Sequence, residues 1–491
     1  MQMQQLTGLD AAFLYLDSKN APMQVGGVHI YAPPAEGFGF EDFKAHIAAS
    51  LAGSPVFRRR VVEVPLRLGR PFWAEDPHFD LDAHVQHSAL PVPGDWDRLT
   101  ELAARQFSRP LDPDRPLWHL NFVEGLTGFP ELPAGSFAVI SRIHHAAADG
   151  LGALDMFNAL WSPKPVHRKA RRKAPGKGGR AATALPGAAT LLKRSTLGSI
   201  TQPRAALDWA WNLVRGGVGA GVEYMEGDHH APPMLFRAPR SPFNVPISSR
   251  RTFDGLDLPF SEIRKIRQAV DGATVNDVVL AVCGGGLGKY LKKHGDLPER
   301  DLVAMAPISV RGAMDMGSNR VSAMLVPLEI RLREPAARLR RIHRHAVDSK
   351  AYASAIGART LADTSQFVPY SLATAAARLY SGLHLSRYHR PPFNLVITNV
   401  PGPREPLYFG TAELLAGYGH APVLDGLGLI LVVTSYRETL TISATAGYEA
   451  VPDVADLVAC LKESFGDLKA AVGKARRRST RARAKPRAAR A

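Results

Sequence analysis

His144-His145-Ala146-Ala147-Ala148-Asp149-Gly150 follows an apolar run, Phe137 to Ile143, and its reading governs the reading of the whole chain. The run has the length and composition of a buried strand. Two histidines end it, and three alanines, an aspartate and a glycine then read as a tight turn. Beyond Gly150 the spacing becomes helical, with Leu151, Leu154, Phe157 and Trp161 on one face. Histidines at the mouth of a strand, backed by a carboxylate, are a way to hold one imidazole rigidly as a general base. Zinc ligation is the competing chemistry. His145 and Asp149 are four residues apart, a spacing that converges on a metal only within a helix, and strand followed by turn does not provide it. No metal is expected.

At 491 residues the chain exceeds what one core usually organises, so two domains are expected. Cys283 and Cys460 lie far apart in apolar surroundings and read as buried thiols of a reducing compartment. Met1 to Gln5 is uncharged and leads into no apolar core, so no secretory leader is expected. No run of about 18 apolar residues reads as a membrane span. The net charge of +16 is localised: Lys164 to Arg180 carries 8 basic residues and no acid, and Lys474 to Arg490 carries 9 and no acid, leaving 44 basic against 45 acidic residues elsewhere. Such segments are solubilising, or are drawn to anionic lipid headgroups at about 1 kcal/mol per basic residue. They hold no stacking aromatics, which argues against nucleic acid as a partner.

Several further stretches stand out along the chain. Leu6 to Leu16 reads as a short helix with Asp17 just beyond it, and Pro22-Met23 leads into a strand through Tyr31. Pro116-Leu117-Trp118 is a proline-rich entry to a strand that would lie beside the histidine strand, with Trp118 filling space and His119 a strand histidine. Leu207, Trp211, Val214 and Val218 read as one face of an amphipathic helix. Pro239-Arg240-Ser241-Pro242-Phe243-Asn244 crosses to a second half. Thr274 is placed to cap a helix with Asp277 three residues on, which explains Asp277 but leaves Asn276 free to face a site. Cys283-Gly284-Gly285-Gly286-Leu287-Gly288-Lys289 is not a phosphate loop: it lies inside a helical pattern, where glycines permit close packing. Strands are expected at Val303 to Val310, Ala323 to Pro327, Phe393 to Val400, Leu427 to Ser435 and Thr439 to Ala446, with a closing helix at Val454 to Val472.

His144-His145-x-x-x-Asp149-Gly150 resembles the HHxxxDG motif of CoA-dependent acyltransferases. Pro116-Leu117-Trp118, Asn276-Asp277, Pro307-Ile308-Ser309-Val310-Arg311 and Thr398-Asn399-Val400-Pro401-Gly402-Pro403, in that order, narrow the resemblance to the bacterial wax ester synthase/acyl-CoA:diacylglycerol acyltransferase family, from about Leu6 to about Asp467. The family usually has Gly-Asn where this chain has Ser318-Asn319, and Ser where it has Thr398. Peptide-condensation and polyketide acyltransferases share HHxxxDG, but the carrier modules that flank them are missing here. The resemblance implies an α/β fold of two similar chloramphenicol acetyltransferase-like domains, with mixed sheets flanked by helices and an active-site tunnel between them. The expected division is an N-terminal domain over 1–163, a basic linker and connecting helix over 164–240, a C-terminal domain over 241–473 and a disordered basic tail over 474–491.

The implied activity is transfer of a fatty acyl group from acyl-CoA to diacylglycerol or a long-chain alcohol; the alternatives are a catalytically silent lipid-binding member of the family, or an acyltransferase for another hydroxylated acceptor. On the resemblance, His145 is the general base, His144 positions it, Asp149 pairs structurally with an arginine and Gly150 gives room for the turn. Asn276, Thr398 and Asn399 are candidates for stabilising the oxyanion, and Asp277 and Trp118 are candidates for the substrate wall. There is no Gly-x-Ser-x-Gly nucleophile elbow, consistent with direct attack. No cofactor is expected, since acyl-CoA is a substrate. A cytoplasmic protein lying against the inner membrane or lipid inclusions is expected.

Overall fold

The computed structural model describes residues 3–51, 55–148, 159–166, 187–188, 190–191, 237–309, 321–356, 379–380 and 382–484. Asp149, Gly150, the helix expected around Trp211, Arg311, Asn319, most of the basic segment and the last seven residues lie outside them.

The helices begin where local chemistry dictates. Thr7 caps α1 (Gly8–Leu16) in a reciprocal capping box with Asp10. Asp95 caps α3 (Trp96–Phe107), and α2 is Phe40–Leu51. The strands of the first half are β1 (Gln4–Gln5), β2 (Gln24–Ala32), β3 (Arg59–Val62), β4 (Phe72–Glu75), β5 (Val85–Ala89), β6 (Trp118–Glu124), β7 (Phe137–His144) and β8 (Trp161–Ser162), and a single helical turn, α4 (His145–Ala148), follows β7. The second half contributes β9 (Arg251–Pro259), α5 (Phe260–Arg267), α6 (Val275–Lys293), β10 (Val303–Ser309), β11 (Val321–Pro327), α7 (Pro335–Ile356), β12 (Leu395–Val400), β13 (Tyr408–Phe409), β14 (Ala412–His420), β15 (Leu429–Tyr436), β16 (Thr439–Gly447) and α8 (Val454–Ala484).

Two mixed sheets organise these elements. The first has the order β5-β6-β7-β2-β14-β13-β8 and the second β11-β10-β12-β15-β16-β9, while β1, β4 and β3 form a small third sheet. The α/β reading with mixed sheets is borne out. The sheets do not follow the chain's halves, however. β13 and β14 come from the second half yet complete the first sheet, with β14 antiparallel to β2. A cut near residue 241 therefore does not separate the two sheets.

Close packing of β2 between β7 and β14 explains its double glycine. Gly26 and Gly27 lie opposite Arg142 and Ser141 on one side and His420 and Gly419 on the other. A Cβ on Gly26 would sit 2.0 Å from the Ser141 carbonyl oxygen, and one on Gly27 would sit 2.3 Å from that of Tyr418. The crossing strand is then fastened to both halves. Tyr418 donates its hydroxyl to Asp257 at 2.9 Å, and His420 stacks on Phe107 at 3.8 Å.

Three expectations change. Trp161 is not on a helix face; it begins the edge strand β8, and its indole N–H donates to the Tyr31 hydroxyl at 2.8 Å. The closing helix runs past Val472 to Ala484, through the first basic residues of the tail. The turn after the histidines is helical. The glycines of α6 act as expected. A Cβ on Gly284 would meet the Leu328 carbonyl oxygen at 2.1 Å, and one on Gly286 would meet Leu461 of α8 at 2.6 Å. Among the described residues no helix is long and apolar enough to cross a membrane.

Candidate active site

The histidine pair is placed by backbone before any side chain acts. β7 lies between β6 and β2, with Gln24 opposite His144. The His144 N–H donates to the Leu117 carbonyl at 2.9 Å, and the His145 N–H donates to the Met23 carbonyl at 2.8 Å. Leu117 belongs to the Pro-Leu-Trp stretch and Met23 to the Pro-Met stretch, so the two flanking motifs serve as the two clamps on this strand end. The chain then turns into α4, and Ala146, 2% exposed, packs with Leu6, Ala11 and Tyr15 beneath α1.

α1 also supplies the contact that fixes the His145 ring. Phe13 stacks on it with centroids 3.7 Å apart and planes 17° from parallel. His144 is buried. Its Nδ1 accepts the Ala146 N–H at 3.1 Å, so the neutral ring carries its proton on Nε2, which lies 3.8 Å from Asp17 Oδ1. This is not an ion pair at neutral pH. Burial, and secondarily His145, pulls His144 down to about 3. Burial pushes Asp17 up to about 6, against the Met23 N–H that its Oδ1 accepts at 2.8 Å. Asp17 thus joins the end of α1, the Met23 clamp and His144, a role that its position after a short helix does not reveal.

The remaining candidates divide. Trp118 is a core residue and not a wall of the site: its indole N–H donates to the Phe57 carbonyl at 2.9 Å, and its ring stacks on His84 at 4.6 Å. Asp277 is committed to structure. It closes the capping box of α6 with Thr274, is 1% exposed, and lies 2.9 Å from His343 Nδ1 on α7. Asn276 Nδ2, by contrast, is buried with no hydrogen-bond partner among the described residues. Thr398 and Asn399 lie near the end of β12, opposite Val432 and Val433 of the parallel neighbour β15. No described contact joins Asn276, Thr398 or Asn399 to His145. Asp149 and Gly150 lie outside the described residues.

A cavity of about 230 Å³ opens between the halves, walled by Tyr15 and Asp17 from the first and by Asn244, Tyr380, His389 and Leu424 from the second. Asn244 holds that wall in shape. Its Nδ2 donates to the Gly426 carbonyl at 2.8 Å, and its Oδ1 accepts from Asn394 at 2.7 Å. Asn394 in turn accepts the Val303 N–H at 2.8 Å. The arrangement therefore provides a clamped, ring-stacked imidazole at a strand end. The Asp17 carboxylate beside its neighbour His144 forms part of the wall of an interdomain cavity.

Comparison with known proteins places these features in a family. Residues 6–279 match the family described as the wax ester synthase/diacylglycerol acyltransferase catalytic domain, and residues 317–469 match the WS/DGAT C-terminal domain. A Mycobacterium tuberculosis protein named as a probable diacylglycerol O-acyltransferase, tgs2, is 33% identical over 94% of this chain and 98% of its own. The O-acyltransferase WSD of Acinetobacter baylyi is 31% identical over 94% of this chain and 96% of its own. Among solved structures, the wax ester synthase/diacylglycerol acyltransferase of Marinobacter aquaeolei VT8 superposes with a TM-score of 0.65 at 27% identity, covering 96% of this chain and all (100%) of that one. The first condensation domain of the CDA synthetase shares the fold at 17% identity, with a TM-score of 0.53 over 96% of each chain. The chain belongs to the wax ester synthase/diacylglycerol acyltransferase family, and it is an O-acyltransferase.

Proposed function

We propose that the protein esterifies the free hydroxyl of diacylglycerol, and of long-chain alcohols, with the acyl group of a long-chain acyl-CoA, with His145 as general base. The carrying observation is His145 at the end of β7, its ring stacked on Phe13 and its backbone N–H held by the Met23 carbonyl. A neutral imidazole takes the acceptor's proton as its oxygen attacks the thioester carbonyl. The tetrahedral oxyanion collapses, the carbon–sulfur bond breaks, and the imidazolium returns the proton to the departing CoA thiolate. Atoms and charge balance without an acyl-enzyme, a metal or a further cofactor. His144, neutral and held by the Ala146 N–H, orients the turn that carries His145. Asn276, with an unsatisfied buried amide, is favoured over Thr398 and Asn399 as the oxyanion donor. The basic segments hold the protein against an anionic membrane or lipid-inclusion surface, where both substrates reside.

The test is release of CoA thiol by the purified protein given palmitoyl-CoA with diolein, and separately with hexadecanol. Release with either acceptor, lost in His145→Ala, supports the reading, and the preferred acceptor ranks the two activities. A protein that binds lipid but releases CoA with neither acceptor overturns it. The surface assignment fails if a variant lacking Lys164 to Arg180 and Lys474 to Ala491 binds anionic vesicles at low salt as well as the full chain does.

A further inference from the structure

The interdomain cavity adjoins a basic groove. Asn244, Ser386, His389 and Pro391 line the cavity on one side and a second pocket on the other. That second pocket shares Arg240 with a third, of about 550 Å³, which also takes Arg300, Arg390, Tyr388 and Glu299 into its wall. Three guanidiniums thus converge on one opening, against one carboxylate. None of the three has a carboxylate partner among the described residues. Arg240 is anchored, donating from Nη2 to the Arg387 carbonyl at 2.8 Å. His389 ties the groove to the cavity: its Nδ1 lies 2.7 Å from the Arg390 carbonyl and its Nε2 lies 2.7 Å from the Tyr380 hydroxyl in the cavity wall. Tyr388 stands among these arginines with 79% of its surface exposed.

Isolated exposed arginines are ordinary; a row of unpaired ones leading to an apolar cavity is a matched pair of environments. The ligand such a path fits is an amphiphile with a polyanionic, aromatic head and a long apolar tail. Arginine forks recognise phosphate oxygens, and an exposed tyrosine ring offers a face to a base. We propose that Arg240, Arg300, Arg390 and Tyr388 form the subsite for the phosphorylated adenosine of the acyl donor, with the chain running through the cavity beside Asp17 toward the histidine pair. This rests on the acyl-CoA reading above and adds to it the residues that hold the nucleotide and the side from which the donor enters.

The experiment compares the full chain with the Arg240→Ala/Arg300→Ala/Arg390→Ala variant on two donors: palmitoyl-CoA, and palmitoyl-N-acetylcysteamine, which lacks the nucleotide. Exposed charge contacts are each worth about threefold, so KM for palmitoyl-CoA should rise on the order of thirtyfold in the triple variant while kcat stays within about twofold. KM for the truncated donor should not change, and Arg300→Lys/Arg390→Lys should recover part of the affinity for palmitoyl-CoA. An unchanged KM for palmitoyl-CoA overturns the assignment, as does an equal loss with both donors. Binding of adenosine 3′,5′-bisphosphate by calorimetry separates the two proposals. Binding by the wild type, lost in the variant, sustains the groove even if no acyl transfer is found, and equal binding by both removes the groove even if transfer proceeds. If the variant instead loses binding to phosphatidylglycerol vesicles while KM for soluble hexanoyl-CoA is unchanged, the arginines serve lipid headgroups and the nucleotide assignment falls.

Discussion

The two sheets are built from different materials. The core beneath the second sheet is one cluster of Val, Leu, Ile and Ala, with Phe243, Tyr290 and Phe465 as its aromatic members. It is tight enough that α6 needs glycines where it meets Leu328 and α8. The first sheet packs one cluster rich in aromatic rings, with Tyr31, Phe43, Phe57, Trp118, Phe122, Phe137 and Phe409 set among aliphatic residues, and a second, mostly aliphatic one with Val28, Ile30, Leu99, Val123 and Ile140; several histidines are buried in or beside that sheet. An aliphatic core gives rigidity through packing alone. An aromatic core with polar edges can hold titratable rings in fixed orientations while desolvating them, which is what a general base needs. The first sheet presents the chemistry, and the second half of the chain supplies a stiff wall and the strands β13 and β14 that complete the first sheet.

The comparison is broken most decisively at the base. His145→Ala should lower kcat by a hundredfold or more while leaving the melting temperature nearly unchanged, because only a half-buried ring is removed. A comparable loss of melting temperature would show that the turn is structural instead. In the aliphatic half the effect should be reversed. Gly284→Val forces a side chain into the Leu328 carbonyl and should cost about 3 kcal/mol, read by urea unfolding, with kcat per folded molecule retained.

Acid should unfold the protein through its first sheet. His144 falls to about 3 in the fold from an ordinary 6.5, and His420, on β14, is held well below 6.5, both chiefly by burial. Between those values the unfolded chain binds more protons, so stability is full above 6.5 and is lost as pH falls below it, by up to about 1.4 kcal/mol per pH unit for each histidine. Asp17 acts in the opposite sense. Its folded value of about 6 exceeds the ordinary 3.8, so below about 6 the folded state gains protons and stability. Asp254 and Asp301 are raised in the same way, but burial lowers His29, His84 and His119 as well as His144 and His420, so the balance is a net loss, and the melting temperature should fall from pH 7 to pH 5, less steeply in His420→Gln. A flat profile would contradict the burial of these rings.

Smaller effects separate packing from catalysis at two motif residues. Trp118→Phe removes the indole donor and strands the Phe57 carbonyl, at about 1–2 kcal/mol, with KM for both substrates unchanged. Asp277→Asn weakens the α6 cap and the His343 contact by about 1 kcal/mol and should leave kcat untouched; a large loss of kcat would return Asp277 to the site.

The sequence by itself determined the local chemistry. The apolar run of β7, the histidines at its end, and the cap at Thr274 each depend on neighbours a few residues away, so they could be read in order along the chain. The family motifs were legible for the same reason. The rest depends on pairing between distant segments. β14, spelled Ala-Glu-Leu-Leu-Ala-Gly-Tyr-Gly-His, has no strong strand signal and finds its place only beside β2, more than 380 residues earlier. Asp17 lies beside His144 because α1 folds across the end of β7, and Trp118 faces Phe57 and His84 because β6 buries it there. The interdomain cavity has walls from both halves of the chain. Spacing encodes which residues share a strand or a helical turn; which elements meet is set by the burial that all of them gain together.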